Sequence, residues 1–212
     1  MKTDDLIQLL ASDHDAPRVD LRARLMLGAL GGAVLSAGIV VLAYGVRPDF
    51  TAVLTNWRLM TKFAVALSFA AAGAALSLRL ARPFTASGRL WMLLLPAPAI
   101  LAAACFSELM MVPPDAWFRR ALGANAIPCL LSIPLLSALP LAGILWALRD
   151  GAPASTEHAG IGAGAMAAGL GAAIYAMHCQ DDSPLFLALW YTVASAAVII
   201  AGRASGARLL RW

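Results

Sequence analysis

The residues best equipped for chemistry gather in one short stretch. Residues 175–186 read YAMHCQDDSPLF, which sets an imidazole, a thiol and two carboxylates (His178, Cys179, Asp181, Asp182) between long apolar runs. A second thiol, Cys129, opens the run CLLSIPLLSALPLAGILWALRDGAP. Two thiolates joined by an imidazole or a carboxylate suit soft or borderline ions such as zinc, cadmium or mercury. The same two thiols, held outside the cytoplasm, could instead form a disulfide. Two thiols alone leave a tetrahedral site short of ligands, so His178, Asp181 and Asp182 are the candidate accessory metal ligands beside Cys129 and Cys179. No constitutive cofactor is expected, and the metal would be a transient cadmium, zinc or similar ion. The bland alternative stays open on residue types alone: a free Cys in an apolar helix packs as a small hydrophobe, and the carboxylates before Pro184 can simply solvate a turn.

Which of these holds depends on the elements that carry the residues. The chain has 212 residues, 61% hydrophobic and 13% charged, against about 45–50% and about 25% in soluble domains. Six apolar segments are long enough to cross a bilayer as helices: 25–46, 59–78, 90–112, 127–148, 159–177 and 185–202. Open sheet edges cannot be satisfied in lipid, so the expected fold is all-α, a polytopic six-helix membrane bundle. Gly160 and Gly164 in the fifth segment form a small-xxx-small pair suited to close helix packing. Pro96, Pro98, Pro128, Pro134 and Pro140 predict bends in the third and fourth segments. Eleven basic residues fall on the side of the termini and five (Arg47, Arg58, Lys62, Arg119, Arg120) on the other. The basic side is expected to be cytoplasmic, with both termini there. Cys129, His178, Cys179, Asp181 and Asp182 then share one depth near the outer face. Cys105 and Glu108 belong to the outer half of the third segment.

The polar segment 1–24 is read as a separate cytoplasmic unit, with 25–212 as the membrane domain. Its Leu6, Ile7, Leu9 and Leu10 fall at helical spacing and make a short amphipathic helix that ends before Pro17. Such a helix is too short to be stable alone, so its apolar stripe must rest on this protein's own helix ends, on lipid or on a partner. Its polar face is acidic, whereas interfacial helices usually present Lys and Arg, and helix-in-groove recognition uses this same stripe.

Several function classes are disfavoured. No G-x-S-x-G, H-E-x-x-H or P-loop is present, so no enzyme is indicated. No run of five like charges points to direct nucleic-acid binding. A small transporter would need polar midplane residues, and a membrane thiol–disulfide oxidoreductase usually needs a closer cysteine pair and a quinone. These two remain the alternatives.

The stretches MKTDDLIQLLASD, CLLSIPLLSALPLAGILWALRDGAP, YAMHCQDDSPLFLALWY and RLLRW resemble the NrsF family of bacterial six-helix inner-membrane anti-sigma factors. LARPF resembles the family's Leu-Ala-Arg-Pro-Gly, with Phe84 in place of Gly. The resemblance implies a membrane protein of the inner membrane that sequesters an extracytoplasmic-function, sigma-F-like sigma factor and frees it under heavy-metal or oxidative stress, such as dichromate or cadmium. It implies that the family's two required cysteines match Cys129 and Cys179. It also implies that the N-terminal segment, with Leu6, Ile7, Leu9 and Leu10, binds the sigma factor.

Overall fold

The computed structural model describes Gln8 and residues 20–51, 55–83 and 88–210. The stripe Leu6, Ile7, Leu9 and Leu10 lies outside these residues, as do Phe84 and the last two residues. Six helices are long and apolar enough to cross a membrane: α1 (Leu21–Tyr44), α2 (Trp57–Leu80), α3 (Gly88–Met111), α5 (Ala126–Leu148), α6 (Thr156–Ala176) and α7 (Pro184–Leu209). A seventh, short helix α4 (Pro114–Leu122) joins α3 to α5. The described residues contain no strand.

Local signals set the ends. Asp20 caps α1 by accepting from the amides of Arg22 (3.0 Å) and Ala23 (3.2 Å). The helix therefore starts four residues earlier than the apolar run at Leu25 predicts, because Arg22 and Arg24 continue it beyond the hydrocarbon. Ser155 caps α6 and Glu157 sits in its positively polarised first turn. Pro96 occupies the first turn of the α-helical part of α3, where its missing N–H costs nothing. Pro134 and Pro140 lie inside α5, which runs on through both.

The six helices are not equivalent. In α6, 83% of the apolar window is buried inside the protein, against 11% in α3, so α6 is the central column and α3 lies on the outside of the bundle. The centre is built from Gly and Ala, and α6 packs against α2, α5 and α7. Without a hydrophobic drive between helices in lipid, such contacts rest on close backbone approach and van der Waals packing. A Cβ on Gly160 would overlap the Gly202 carbonyl oxygen of α7, and one on Gly164 would lie 2.8 Å from Ile199 Cα. The small-xxx-small pair is thus consumed inside the chain. α1 meets α5 in the same way, with Gly28 against the Gly143 backbone.

Polar contacts tie the two ends of the bundle. At the end holding residues 20 and 210, Arg24 pairs with Asp150, Arg203 donates to Glu157 (2.7 and 2.9 Å), and the Ala152 amide donates to the Ala81 carbonyl (2.9 Å). The opposite end carries the thiols. Replacing Gly28 by Leu should destabilise the protein by about 1–3 kcal/mol through overpacking against Gly143. Gly31→Leu should change little, since nothing lies within 4 Å of its added Cβ. Thermal unfolding of both variants in detergent reads the difference, and equal midpoints would reject this account of the seam.

Candidate functional site

Two buried cysteines share one chamber. Cys129, in the first turn of α5, is 0% exposed, and Cys179, just past α6, is 1% exposed. Both are free thiols. They pack in one cluster with Tyr175, Phe186, Leu187 and Tyr191, so the shared depth expected from the topology is realised. The hydroxyls of Tyr175 and Tyr191 are buried there without a hydrogen-bond partner in the protein. Two π-helical turns border the chamber, Val40–Tyr44 at the end of α1 and Leu187–Tyr191 in α7. π-turns inside α-helices often mark functional sites. Here they carry Tyr44 and Tyr191 toward the cysteine loop. Tyr44 meets the His178 ring edge-on, with centroids 5.3 Å apart.

The segment 177–183 is gripped from below by two cations. Lys62, one turn into α2 and fully buried, directs its ammonium at Cys179 O (2.9 Å), Asp181 O (3.0 Å) and Asp182 Oδ1 (3.2 Å). All three donors of the ammonium are used. Arg47, in the loop after α1, donates through Nη1 to the same Cys179 carbonyl at 3.0 Å. Its Nη1 and Nη2 also form a bidentate pair with Asp182 at 2.7 and 2.8 Å. Arg47 Nε and Nη2 bind Asp49 at 2.7 Å each, and its amide donates to Met177 O at 3.0 Å. Hydrogen bonds donated to Asp49 and then to Asp182 raise the Arg47 guanidinium above its ordinary value. The same bond holds the exposed Asp49 carboxyl below the usual carboxylate range. The Asp49 contribution is therefore present at neutral pH and lost only as pH falls through that depressed value.

The remaining sequence candidates have separate partners. Asp181 accepts from the amides of Ala124 (3.0 Å) and Asn125 (2.8 Å) and from the Asn125 side chain (2.8 Å), which docks the α4–α5 turn on the cysteine loop. His178 donates from Nδ1 to the Gly45 carbonyl (3.0 Å). Asp182 belongs to Arg47 and Lys62. Among the described residues, no three of His, Cys, Asp or Glu are placed to share a metal ion. The thiols are brought together, while each accessory candidate is held by another group.

Glu108 forms a second buried ionic centre on α3. It is 0% exposed and accepts from Arg58 Nε (2.8 Å) and Arg120 Nη1 (2.6 Å). Cys105, one turn earlier, donates to the Pro184 carbonyl (3.3 Å) and stays apart from the thiol pair. Lys62 and Arg47 are absent from the sequence-derived site because their partner lies 120 and 135 residues away. The signal for Lys62 was nevertheless present: an ionisable residue inside an apolar span marks a site and requires a partner.

An apolar cavity of about 270 Å³ lies between α2, α3, α6 and α7, walled by Phe69, Leu101, Ala172 and Ile199, with Lys62 and Tyr191 also on its lining. Its apolar walls offer no continuous polar path of the kind a transporter needs.

Asp182→Ala should leave Lys62 buried without its counter-charge and cost about 3–5 kcal/mol. Adding Lys62→Met should recover part of that loss, because the stranded charge is gone. A double-mutant cycle on thermal unfolding reads the coupling, and strict additivity would show that the two residues do not act as a pair.

The sequence matches the family model described as negative regulator of sigma F over residues 10–212. It is 31% identical to the anti-sigma-F factor NrsF of Caulobacter vibrioides and 30% identical to the probable anti-sigma-F factor NrsF of Azospira oryzae, with all of each chain covered. No solved structure matches. A match spanning nearly the whole sequence, with two relatives aligned end to end, places the chain in the NrsF family, negative regulators of sigma F.

Proposed function

We propose that this protein is an inner-membrane anti-sigma factor that holds an extracytoplasmic-function sigma factor of the sigma-F kind and releases it when Cys129 and Cys179 react. The observation that carries the reading is the end-to-end similarity to two anti-sigma-F factors. In this reading both termini are cytoplasmic, because eleven of the sixteen basic residues lie on their side. Four of the five basic residues at the thiol end (Arg47, Arg58, Lys62, Arg120) are moreover ion-paired with Asp49, Asp182 or Glu108.

The retention step belongs to the N-terminal segment. Leu6, Ile7, Leu9 and Leu10 dock on the sigma factor and keep it from core RNA polymerase. The sensing step belongs to the thiol chamber. An oxidant takes two electrons and the two thiols lose two protons as a disulfide forms, or a thiophilic ion such as cadmium replaces those protons on the two sulfurs. With His178, Asp181 and Asp182 engaged elsewhere, the sulfurs supply the bonds and the carboxylates stay structural. The Cys179 carbonyl is bonded to both Lys62 and Arg47, so displacement of Cys179 pulls directly on α2 and on the α1–α2 loop. α2 runs from that grip to Ala81, which is hydrogen-bonded to Ala152 at the far end. A switch of this kind needs the reacted thiols to favour the released state over the holding state.

Two outcomes are expected. Leu6→Asp combined with Leu10→Asp should abolish co-purification of the cognate sigma factor with the membrane fraction, and undiminished retention would reject N-terminal docking. Cys129→Ser with Cys179→Ser should retain the sigma factor yet lose induction of a sigma-dependent reporter by cadmium. A normal cadmium response in that variant would remove the thiol switch.

A further inference from the structure

The helix α4 has a face that the bundle leaves bare. Its inner side is bolted down: Arg120 pairs with Glu108, Trp117 Nε1 donates to Val112 O (2.9 Å), and Trp190 Nε1 donates to the carbonyls of Ala121 (3.0 Å) and Leu122 (3.1 Å). At about 100° per residue, Phe118 and Leu122 then fall on the side opposite Arg120. Phe118 is 73% exposed and Leu122 39%. Arg119 adjoins Phe118 and is exposed, and its side chain makes no ion pair or hydrogen bond among the described residues.

The position of α4 says what covers that face. The exposed apolar belt of α3 runs through Phe106, Met110 and Met111, and α4 begins at Pro114. The belt resumes at Ile127 and Leu131 of α5, just after α4 ends at Leu122. A helix tethered at both ends to the limit of a lipid-facing belt lies at the boundary between hydrocarbon and headgroups. Phe and Leu on one side with Arg beside them is the composition of helices that lie in that plane. Arg119 supplies an unneutralised positive charge at headgroup level.

We infer that α4 is a membrane-interface helix at the thiol end of the bundle, with Phe118 and Leu122 inserted among lipid chains and Arg119 binding anionic phospholipid headgroups. Its carboxyl end leads into Ala124 and Asn125, whose amides are held by Asp181, so lipid contact bears on the cysteine loop through two hydrogen bonds.

The test uses the full chain, one copy per phosphatidylcholine nanodisc, with and without phosphatidylglycerol. A fluorophore attached through Phe118→Cys, in a Cys105→Ser, Cys129→Ser, Cys179→Ser background, should be quenched by nitroxide-labelled lipid and shielded from iodide. Iodide quenching close to that of the free dye would overturn the proposal. A second measurement needs no change to the face: phosphatidylglycerol should slow amide exchange across Pro114–Leu122 in the unmodified protein. Arg119→Gln should reduce that lipid-dependent slowing about fivefold. An unmodified protein indifferent to phosphatidylglycerol would overturn the headgroup contact. Protection that requires two copies per nanodisc would assign the face to a second chain and overturn the lipid assignment.

Discussion

One peptide carbonyl and one carboxylate, those of Cys179 and Asp182, carry the thiol end of this bundle. Both are shared between Arg47 and Lys62, which come from different parts of the chain. Desolvating two cations costs several kcal/mol each and is tolerated only where the partners are complete. Completeness here fixes a great deal at once: the loop after α1, the second turn of α2 and the turn between α6 and α7 must all be in place. The conformation of the cysteine segment is therefore specified by charge. The Gly-rich α6 specifies the helix column by shape, through backbone contacts that no larger side chain could make. The two constraints act at different depths of the same bundle.

This division explains why the thiol chamber can be apolar and yet firmly positioned. Cys129 and Cys179 lie among Tyr175, Phe186, Leu187 and Tyr191, where few polar bonds constrain them. The constraint lies one atom layer away, on the Cys179 backbone. Chemistry at sulfur and mechanical hold at the carbonyl are thus adjacent without competing for the same groups. The unpartnered phenol hydroxyls of Tyr175 and Tyr191 are the polar atoms left inside the chamber.

Much of the architecture was legible in the residues, for identifiable reasons. Spanning segments announce themselves because lipid demands about 20 apolar residues, and the end-to-end alternation that follows placed Cys129 and Cys179 at one depth. The Gly160–Gly164 pair was readable as packing, although only the structure shows α7 as its partner. Other features had no local signature. Asp181 and Asp182 read as equivalent acids, either accessory metal ligands or solvation for a turn, yet one caps a turn and the other pairs with two cations. Their roles depend on residues from about 50 to over 130 positions away, which no spacing rule reaches. Lys62 looked like one more outward charge in a count of basic residues, whereas it is buried and spoken for. α4 went unread because nine residues between two spans are too few for periodicity to stand out.

The π-turn at Leu187–Tyr191 has a further geometric meaning. Such a turn holds one residue more than the α-turn it replaces, and one residue corresponds to about 100° of rotation. Everything beyond it in α7 is therefore phase-shifted relative to everything before it. Above the shift, Phe186 and Leu187 line the thiol chamber; below it, Ile199 and Gly202 meet the small residues of α6. The extra residue rotates the lower half of α7 relative to its start, so the register in which Gly202 meets Gly160 is set in part at the thiol end.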